Sequence, residues 1–425
     1  MECDRVTLGG DPTVLATELR ALVPAPESVQ DVVTEIMTHV RATGDDALRY
    51  YTRQYDTGGA QPAALRVPEA ELDTALEQLD PAVRSGLERA IENVRRVAEA
   101  ALHSDRAVQF DGHEVVLREV PVDRAGLYVP GGRAPYPSTV VMGTLTARVA
   151  GVQEIAVCAP PGRDGDVDHV VLAACRLAGA SVVYRMGGAQ AIAALAYGTE
   201  TVSPVDVIVG PGNLYVQEAK RQVFGAVGID GFAGPSDLIV IAGSDADPSP
   251  LALDLLAQAE HGPGTLVIGI SESSELLAEL SARLQDAPDT GAVARLVQVA
   301  DVDQALALAE AFAPEHLELV GEEPQALAPR VSRAGCVFLG ADSATAFGDY
   351  IAGSNHVLPT NGAARFASAL SPAHFRRSFT EVRIGSGAGE LARLAAPLAR
   401  AEGFELHARS MEARIRDNGK HDPAR

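Results

Sequence analysis

Over the first hundred positions, apolar residues recur with a helical period. Asp80 can cap ahead of Pro81, a residue suited to the first helical position. Val83, Leu87, Ala90, Ile91, Val94, Val97 and Leu102 then fall on one stripe and predict a long amphipathic helix. From about residue 115 the texture changes. The runs EIAVCA (154–159), SVVYRM (181–186), VDVIVG (205–210), DLIVIA (237–242), TLVIGI (265–270) and GCVFLG (335–340) are almost continuously apolar, with helical stretches such as VVLAACRLAGA between them. Alternation of apolar strands with helices predicts parallel sheets covered on both faces. The strands are too many for one mononucleotide-binding fold, so the expectation is two α/β domains. From Leu391 to Arg416 the pattern returns to helix and reads as a separate tail.

Composition narrows the function classes. A chain of 425 residues spans two to four domains at roughly 100–200 residues each. With 47% hydrophobic and 22% charged residues it has globular proportions rather than those of a disordered chain. Its 35 Lys+Arg against 57 Asp+Glu leave a net charge of −22, which repels phosphate backbones and anionic membranes but not small cations. The lack of Trp removes one kind of base-stacking platform. No apolar run approaches the ~20 residues of a membrane span. The start MECDRVTLGGDP shows no signal pattern, so the expected compartment is the cytoplasm. Cys3, Cys158, Cys175 and Cys336 form no C-x-x-C pair and are expected to be buried thiols.

Four segments carry candidate chemistry. In SPLALDLLAQAEHG (249–262), Gln258 and His261 share a face near a helix end, either as half of a metal site or as a helix end with its histidine on the terminal carbonyls. In AFAPEHLELV (311–320), Glu315 and His316 adjoin a strand entrance, which fits general acid–base work or a solvated loop pair. AFGDYIAGSNHVLPT (346–360) displays Asp349 and His356 in a loop, and AEGFELHARS (401–410) carries Glu402 and His407 on the tail. Gln258, His261, Asp349 and His407 together are a donor set of the number and type that zinc takes. Three glycine-bearing segments, GLYVPGGRAPYPS (126–138), RMGGAQAIAALAYGTE (185–200) and IVGPGNLYVQEAK (208–220), each run from a strand end into a helix. Such turns aim backbone N–H groups and a helix dipole at anions, although none matches G-x-G-x-x-G.

Taken together, GLYVPGGRAPYPSTVVM, GGAQAIAALAYGTE, VGPGNLYVQEAKR, GIDGFAGPSD, DLLAQAEHG, APEHLEL, GDYIAGSNHVLPT, ARFASALS and AEGFELHA resemble the histidinol dehydrogenase family, in the family's order from about residue 126 to 410. The resemblance implies an oxidoreductase of histidine biosynthesis that takes L-histidinol to L-histidine through L-histidinaldehyde with NAD, one Zn2+ per subunit and a homodimer with intertwined C-terminal segments. It implies zinc ligands at Gln258, His261, Asp349 and His407, which also face the substrate. It implies further substrate contacts at Ser236, His356 and Glu402, NAD contacts at Tyr128, Gln190 and Asn213, and a catalytic pair, Glu315 and His316, with His316 also touching substrate.

The expected fold is two Rossmann-like α/β domains with parallel-rich sheets and small helical terminal elements. Residues 1–24 are set apart as an extension, 25–127 with 237–370 as the catalytic and metal domain, 128–236 as the NAD-binding domain, and 371–425 as a helical tail reaching the partner's site. Asp237 stands where the family commonly has Glu, Thr146 where it has Pro, and Ala369 and Pro372 interrupt its usual run. Asp237 is expected to shift a substrate contact and Thr146 to be a matter of packing. The alternatives are a zinc- and NAD-dependent dehydrogenase of another small amino or sulfonated alcohol, a non-catalytic ligand-binding protein, and a metal-dependent aldolase or hydrolase.

Overall fold

The computed structural model describes residues 1, 3–23, 28–60, 63–131, 134–232 and 234–415. Gly132 and Arg133 of the first glycine segment, and the last ten residues of the tail, lie outside the described residues. The chain divides into a larger unit, Met1–Ala101 with Val122–Phe375, and a smaller one, Leu102–Pro121 with Arg376 onward.

The larger unit holds two sheets. In the six-stranded sheet the spatial order is Cys3–Thr7, Val293–Gln298, Leu266–Ser271, Asp237–Ala242, His316–Val320 and Cys336–Leu339, every pairing parallel. Alternate side chains face opposite ways along a strand. Ile239 and Ile241 accordingly pack with the helices Pro12–Ala21 and Val302–Phe312, while Leu238 and Val240 pack with Pro248–Ala259 and Ser274–Asp286. Burial on both faces is why these strands read as unbroken apolar runs.

The five-stranded sheet has the order Val182–Arg185, Glu154–Ala159, Arg124–Tyr128, Val207–Val209 and Gly228–Ile229, again all parallel. Helices from the first hundred residues cover it. Asp80 caps the helix Pro81–Ala100 by accepting from the N–H groups of Ala82 and Val83, and Leu87, Ala90, Ile91 and Val94 enter the core with Leu127 and Val157. Val83 and Val97, expected on that buried stripe, are exposed. The helices Gln30–Thr43 and Asp45–Tyr51 pack on the other face.

The segment boundaries therefore differ from those expected. The 1–24 stretch contributes an edge strand, Cys3–Thr7, to the six-stranded sheet. Much of 25–127, grouped with that sheet by sequence, instead packs on the five-stranded one, which includes Arg124–Tyr128. The tail is not helical throughout. Arg376–Ile384 pairs antiparallel with His113–Pro121, which pairs in turn with Arg106–Phe110, and only then come the helices Ala388–Ala401 and Glu405–Glu412. That strand closes its ladder with residues more than 250 positions earlier, a pairing that no local pattern reveals.

Candidate active site

The two sheets present opposite ends to their polar clusters. In the six-stranded sheet the cluster lies where strands begin and helices finish. Asp247 caps the helix Pro248–Ala259 by accepting from Ser249 N–H, and the helix ends with Gln258 in its last turn. Gly262, at φ +83, then turns the chain and leaves His261 just past the helix end. Helix Val302–Phe312 ends on Ala313 in the left-handed region (φ 53), and Glu315 and His316 follow at the entrance of the strand His316–Val320. Asp349 sits near the end of the helix Thr345–Tyr350. Three helix carboxyl ends thus face one region, and their partial negative charge favours cations.

A hydrogen-bond chain orders the cluster. Gln258, 3% exposed, donates from Nε2 to Ser236 Oγ at 2.5 Å, and Ser236 Oγ donates to Glu315 Oε2. The Asp237 N–H also donates to that oxygen (3.1 Å), and Glu315 N–H donates to Asp237 Oδ1 (2.7 Å). Arg20 pairs with Asp237 Oδ2 at 3.4 Å while donating to the carbonyls of Phe312 and Ala313. The shorter carboxylate at 237 therefore fastens the backbone of Glu315. Thr146 does more than pack: its hydroxyl donates to Met142 O (2.5 Å) and accepts from Asn355 Nδ2 (3.3 Å). Pro372 is buried in a short helical turn, Pro372–Phe375, and Ala369 is half-buried.

His316 is 3% exposed, and neither ring nitrogen has a hydrogen-bond partner. Nδ1 lies 3.8 Å from Glu315 Oε2 and Nε2 lies 3.6 Å from Asp349 Oδ1, both beyond hydrogen-bond length. Burial alone would lower the imidazole pKa, but the Glu315, Asp349 and Asp237 carboxylates overcome it and raise it to about 9. Burial raises Glu315 to about 7 against the pull of His316. Partial burial lowers the pKa of His261, opposed most by Asp349. Burial likewise lowers that of His356, whose Nδ1 lies 3.0 Å from Asp349 O and whose Nε2 lies 3.0 Å from Thr139 Oγ1.

The five-stranded sheet does the reverse. Its three glycine-bearing turns leave strand carboxyl ends and enter the helices Pro137–Ala150, Gly188–Tyr197 and Leu214–Val223. A cavity of about 770 Å³ opens there, with Tyr128, Gln190 and Asn213 in its lining. The Tyr128 hydroxyl accepts from Gly188 N–H (3.2 Å), and Asn213 Oδ1 caps its helix on Val216 N–H (3.2 Å). Gly210 has φ +113, and a Cβ there would lie 2.2 Å from Tyr128 O, so only glycine fits.

Sequence reasoning missed Asp56, whose carboxyl lines this cavity with Oδ2 unpartnered and whose pKa burial raises to about 7. It missed Arg20 and Thr139 as well. Asp56 and Arg20 lie in none of the quoted motifs, and Thr139, although inside GLYVPGGRAPYPSTVVM, acts through His356, 217 residues away.

Within the larger unit, then, Ser236, Gln258, His261, Glu315, His316, Asp349 and His356 gather around one region, and Tyr128, Gln190 and Asn213 around the other. Glu402 and His407 belong to the smaller unit, both exposed, with the His407 ring edge-on to Phe404 at 5.1 Å. No cluster of three or more His, Cys, Asp or Glu poised for a metal occurs among the described residues. The expected donors in the larger unit are a carboxamide, an imidazole and a carboxylate. Gln258 spends its nitrogen on Ser236, which leaves the amide oxygen as the donor a cation takes, and Asp349 and His261 sense one another electrostatically. Chemically this set fits zinc with one donor still to be supplied.

Such an arrangement, with an acid–base pair on one parallel sheet and a turn-lined cavity on another, defines a two-sheet α/β protein built for catalysis. A family model described as histidinol dehydrogenase matches residues 23–415, and the chain belongs to that family. It is 46% identical over 400 residues to histidinol dehydrogenase of Synechococcus sp., covering 90% of this chain and 91% of the relative. Against histidinol dehydrogenase of Pseudomonas aeruginosa it is 44% identical over 405 residues, 92% of each chain. The crystal structure of histidinol dehydrogenase from Elizabethkingia anophelis superposes with a TM-score of 0.89 at 30% identity, covering 98% of both chains.

Proposed function

We propose that the chain oxidises L-histidinol to L-histidine through L-histidinaldehyde, the closing steps of histidine biosynthesis. The observation that carries this reading beyond family membership is the buried His316 ring. Neither nitrogen makes a hydrogen bond, the ring stands between two carboxylates, and it adjoins Glu315, whose pKa lies near neutrality. Those are the requirements of a general acid–base pair. His316 takes the alcohol proton in the first oxidation. Glu315, held by Ser236 and the Asp237 N–H, takes a proton from the water that hydrates the aldehyde. Ser236 and His356 orient the substrate. NAD, when bound, accepts a hydride in each oxidation, and the 770 Å³ cavity with Tyr128, Gln190 and Asn213 is where we place it.

Gln258, His261 and Asp349 are assigned to one Zn2+ per subunit, with His407 as fourth donor. Zinc, when bound, orients the substrate's imidazole and amino nitrogens and offsets the Asp349 charge, which lowers the His316 pKa toward the range of a working base. We further propose a homodimer in which Glu402 and His407 complete the partner's site. Supporting this, the smaller unit exposes Leu394, Leu398, Phe404 and Leu406, each more than half accessible. No described helix is long and apolar enough to cross a membrane. Cys3, Cys158 and Cys175 are buried free thiols, which suits a reducing cytoplasm.

The test is steady-state turnover. Two NADH per histidinol are expected, lost on chelation and restored by zinc. A folded, zinc-loaded protein that leaves histidinol untouched would move the assignment to another small amino or sulfonated alcohol.

A further inference from the structure

Deeper in the six-stranded sheet lies a polar cluster that the proposed reaction does not use. Glu318 is 1% exposed on the interior strand His316–Val320, with Val240 and Phe338 as its register partners on either side. An acidic side chain in such a position is costly unless it is hydrogen-bonded. Thr345 Oγ1 donates to its Oε2 at 3.5 Å, and its carboxyl interacts electrostatically with that of Asp254, from the helix Pro248–Ala259. Two carboxyls can hydrogen-bond only if one keeps its proton. Burial raises both, so the pair keeps a proton at neutral pH and one carboxyl can donate to the other.

Each member stands one structural repeat from a residue of the active site. Asp254 is four residues before Gln258 on one helix, Thr345 four before Asp349 on another, and Glu318 two after His316 on its strand. Residues four apart share a helix face, and residues two apart share a strand face. The elements that present Gln258, Asp349 and His316 are therefore joined to one another a turn below the site.

We propose that Asp254, Glu318 and Thr345 form a positioning cluster that holds the two helices and the strand in register, so that Gln258, Asp349 and His316 converge before metal or substrate arrives. The proposal rests on the zinc reading above. Removing one member of a buried hydrogen-bonded pair leaves the other unsatisfied and lowers stability, so the two roles separate in the metal affinity of the folded protein. A cluster that served stability alone would thus show its effect in unfolding and leave zinc affinity unchanged.

The experiment measures zinc affinity by chelator competition, with thermal unfolding alongside, on the full-length wild type, E318L, E318Q and D254L, using H261N as the ligand control. E318L, while still folded, is expected to bind zinc about 10–100-fold more weakly. E318Q should stay within about threefold of wild type, because its amide donates to Asp254 as the protonated carboxyl does. D254L breaks the link from the helix side, should match E318L, and decides the matter if E318L does not fold. Unchanged affinity in the folded leucine variants, or an E318Q as weak as E318L, overturns the proposal. A wild type that binds zinc no better than H261N overturns the zinc reading and takes this proposal with it, whereas tight wild type and tight E318L overturn the positioning role alone.

Discussion

The two sheets of the larger unit are both parallel and both covered by helices, yet they display opposite ends to their sites. The five-stranded sheet uses strand carboxyl ends and helix starts, the usual arrangement of an open α/β sheet and the electropositive end of each helix. The six-stranded sheet uses strand beginnings and helix finishes, the electronegative end, and crowds Glu315, Asp349 and Asp237 around it. One end is therefore suited to the phosphates of a dinucleotide and the other to a divalent ion and a cationic amino alcohol. The lesson concerns charge sorting. The same layer architecture recognises ligands of opposite sign according to which end of the helices the chain exposes.

The sharpest way to break that comparison is to alter the chemistry at one end and watch the other. H316N is expected to lower kcat by about 10²–10⁴-fold while NAD and zinc still bind, measured by turnover and by titration of each ligand. Full turnover in this variant would remove His316 as the base.

A smaller effect concerns pH. Glu315 is raised in the folded chain from 4.5 to about 7, so folded protein keeps a proton that unfolded protein has already lost. Its contribution to stability is complete below about pH 4.5, falls as pH rises, and is gone above about 7. Asp56 and Glu318 act with the same sign, so the useful quantity is the difference between wild type and E315Q in metal-free protein. Urea unfolding should show that E315Q loses less stability across this window, by about 3 kcal/mol at most. Parallel curves would mean that Glu315 is not buried as an acid.

The smallest change tests the other sheet. G210A forces a side chain into a positive φ and onto Tyr128 O, at a cost of about 1–3 kcal/mol in unfolding, and raises KM for NAD. Zinc affinity should not move. If it falls with NAD affinity, the two ends are not separable sites.

Much of this was readable in advance. The runs at 154–159 and 237–242 are strands to the residue, Asp80 caps its helix, and the three glycine segments are strand-to-helix turns. Gln258, His261, Glu315, His316, Asp349 and His356 stood out by type and spacing, whereas Ser236, Tyr128, Gln190 and Asn213 were named only through the family resemblance. What escaped was whatever depends on distant partners. Cys3–Thr7 is a strand only because Val293–Gln298 lies beside it, and Arg376–Ile384 only because His113–Pro121 does. Arg20 touches the site through Asp237, 217 residues away, and through the carbonyls of Phe312 and Ala313, more than 290 away.

By itself the sequence determined the plan of two helix-covered parallel sheets, the family and the residue types available for chemistry, because period, capping and motif spacing are local properties of a chain. Only the tertiary structure decided which end of each sheet became a site, that an imidazole without a hydrogen bond would be buried between two carboxylates, and that a second acid pair would lie one turn beneath. Burial and neighbouring charge set those protonation states, and both arise only when elements far apart in sequence are packed together.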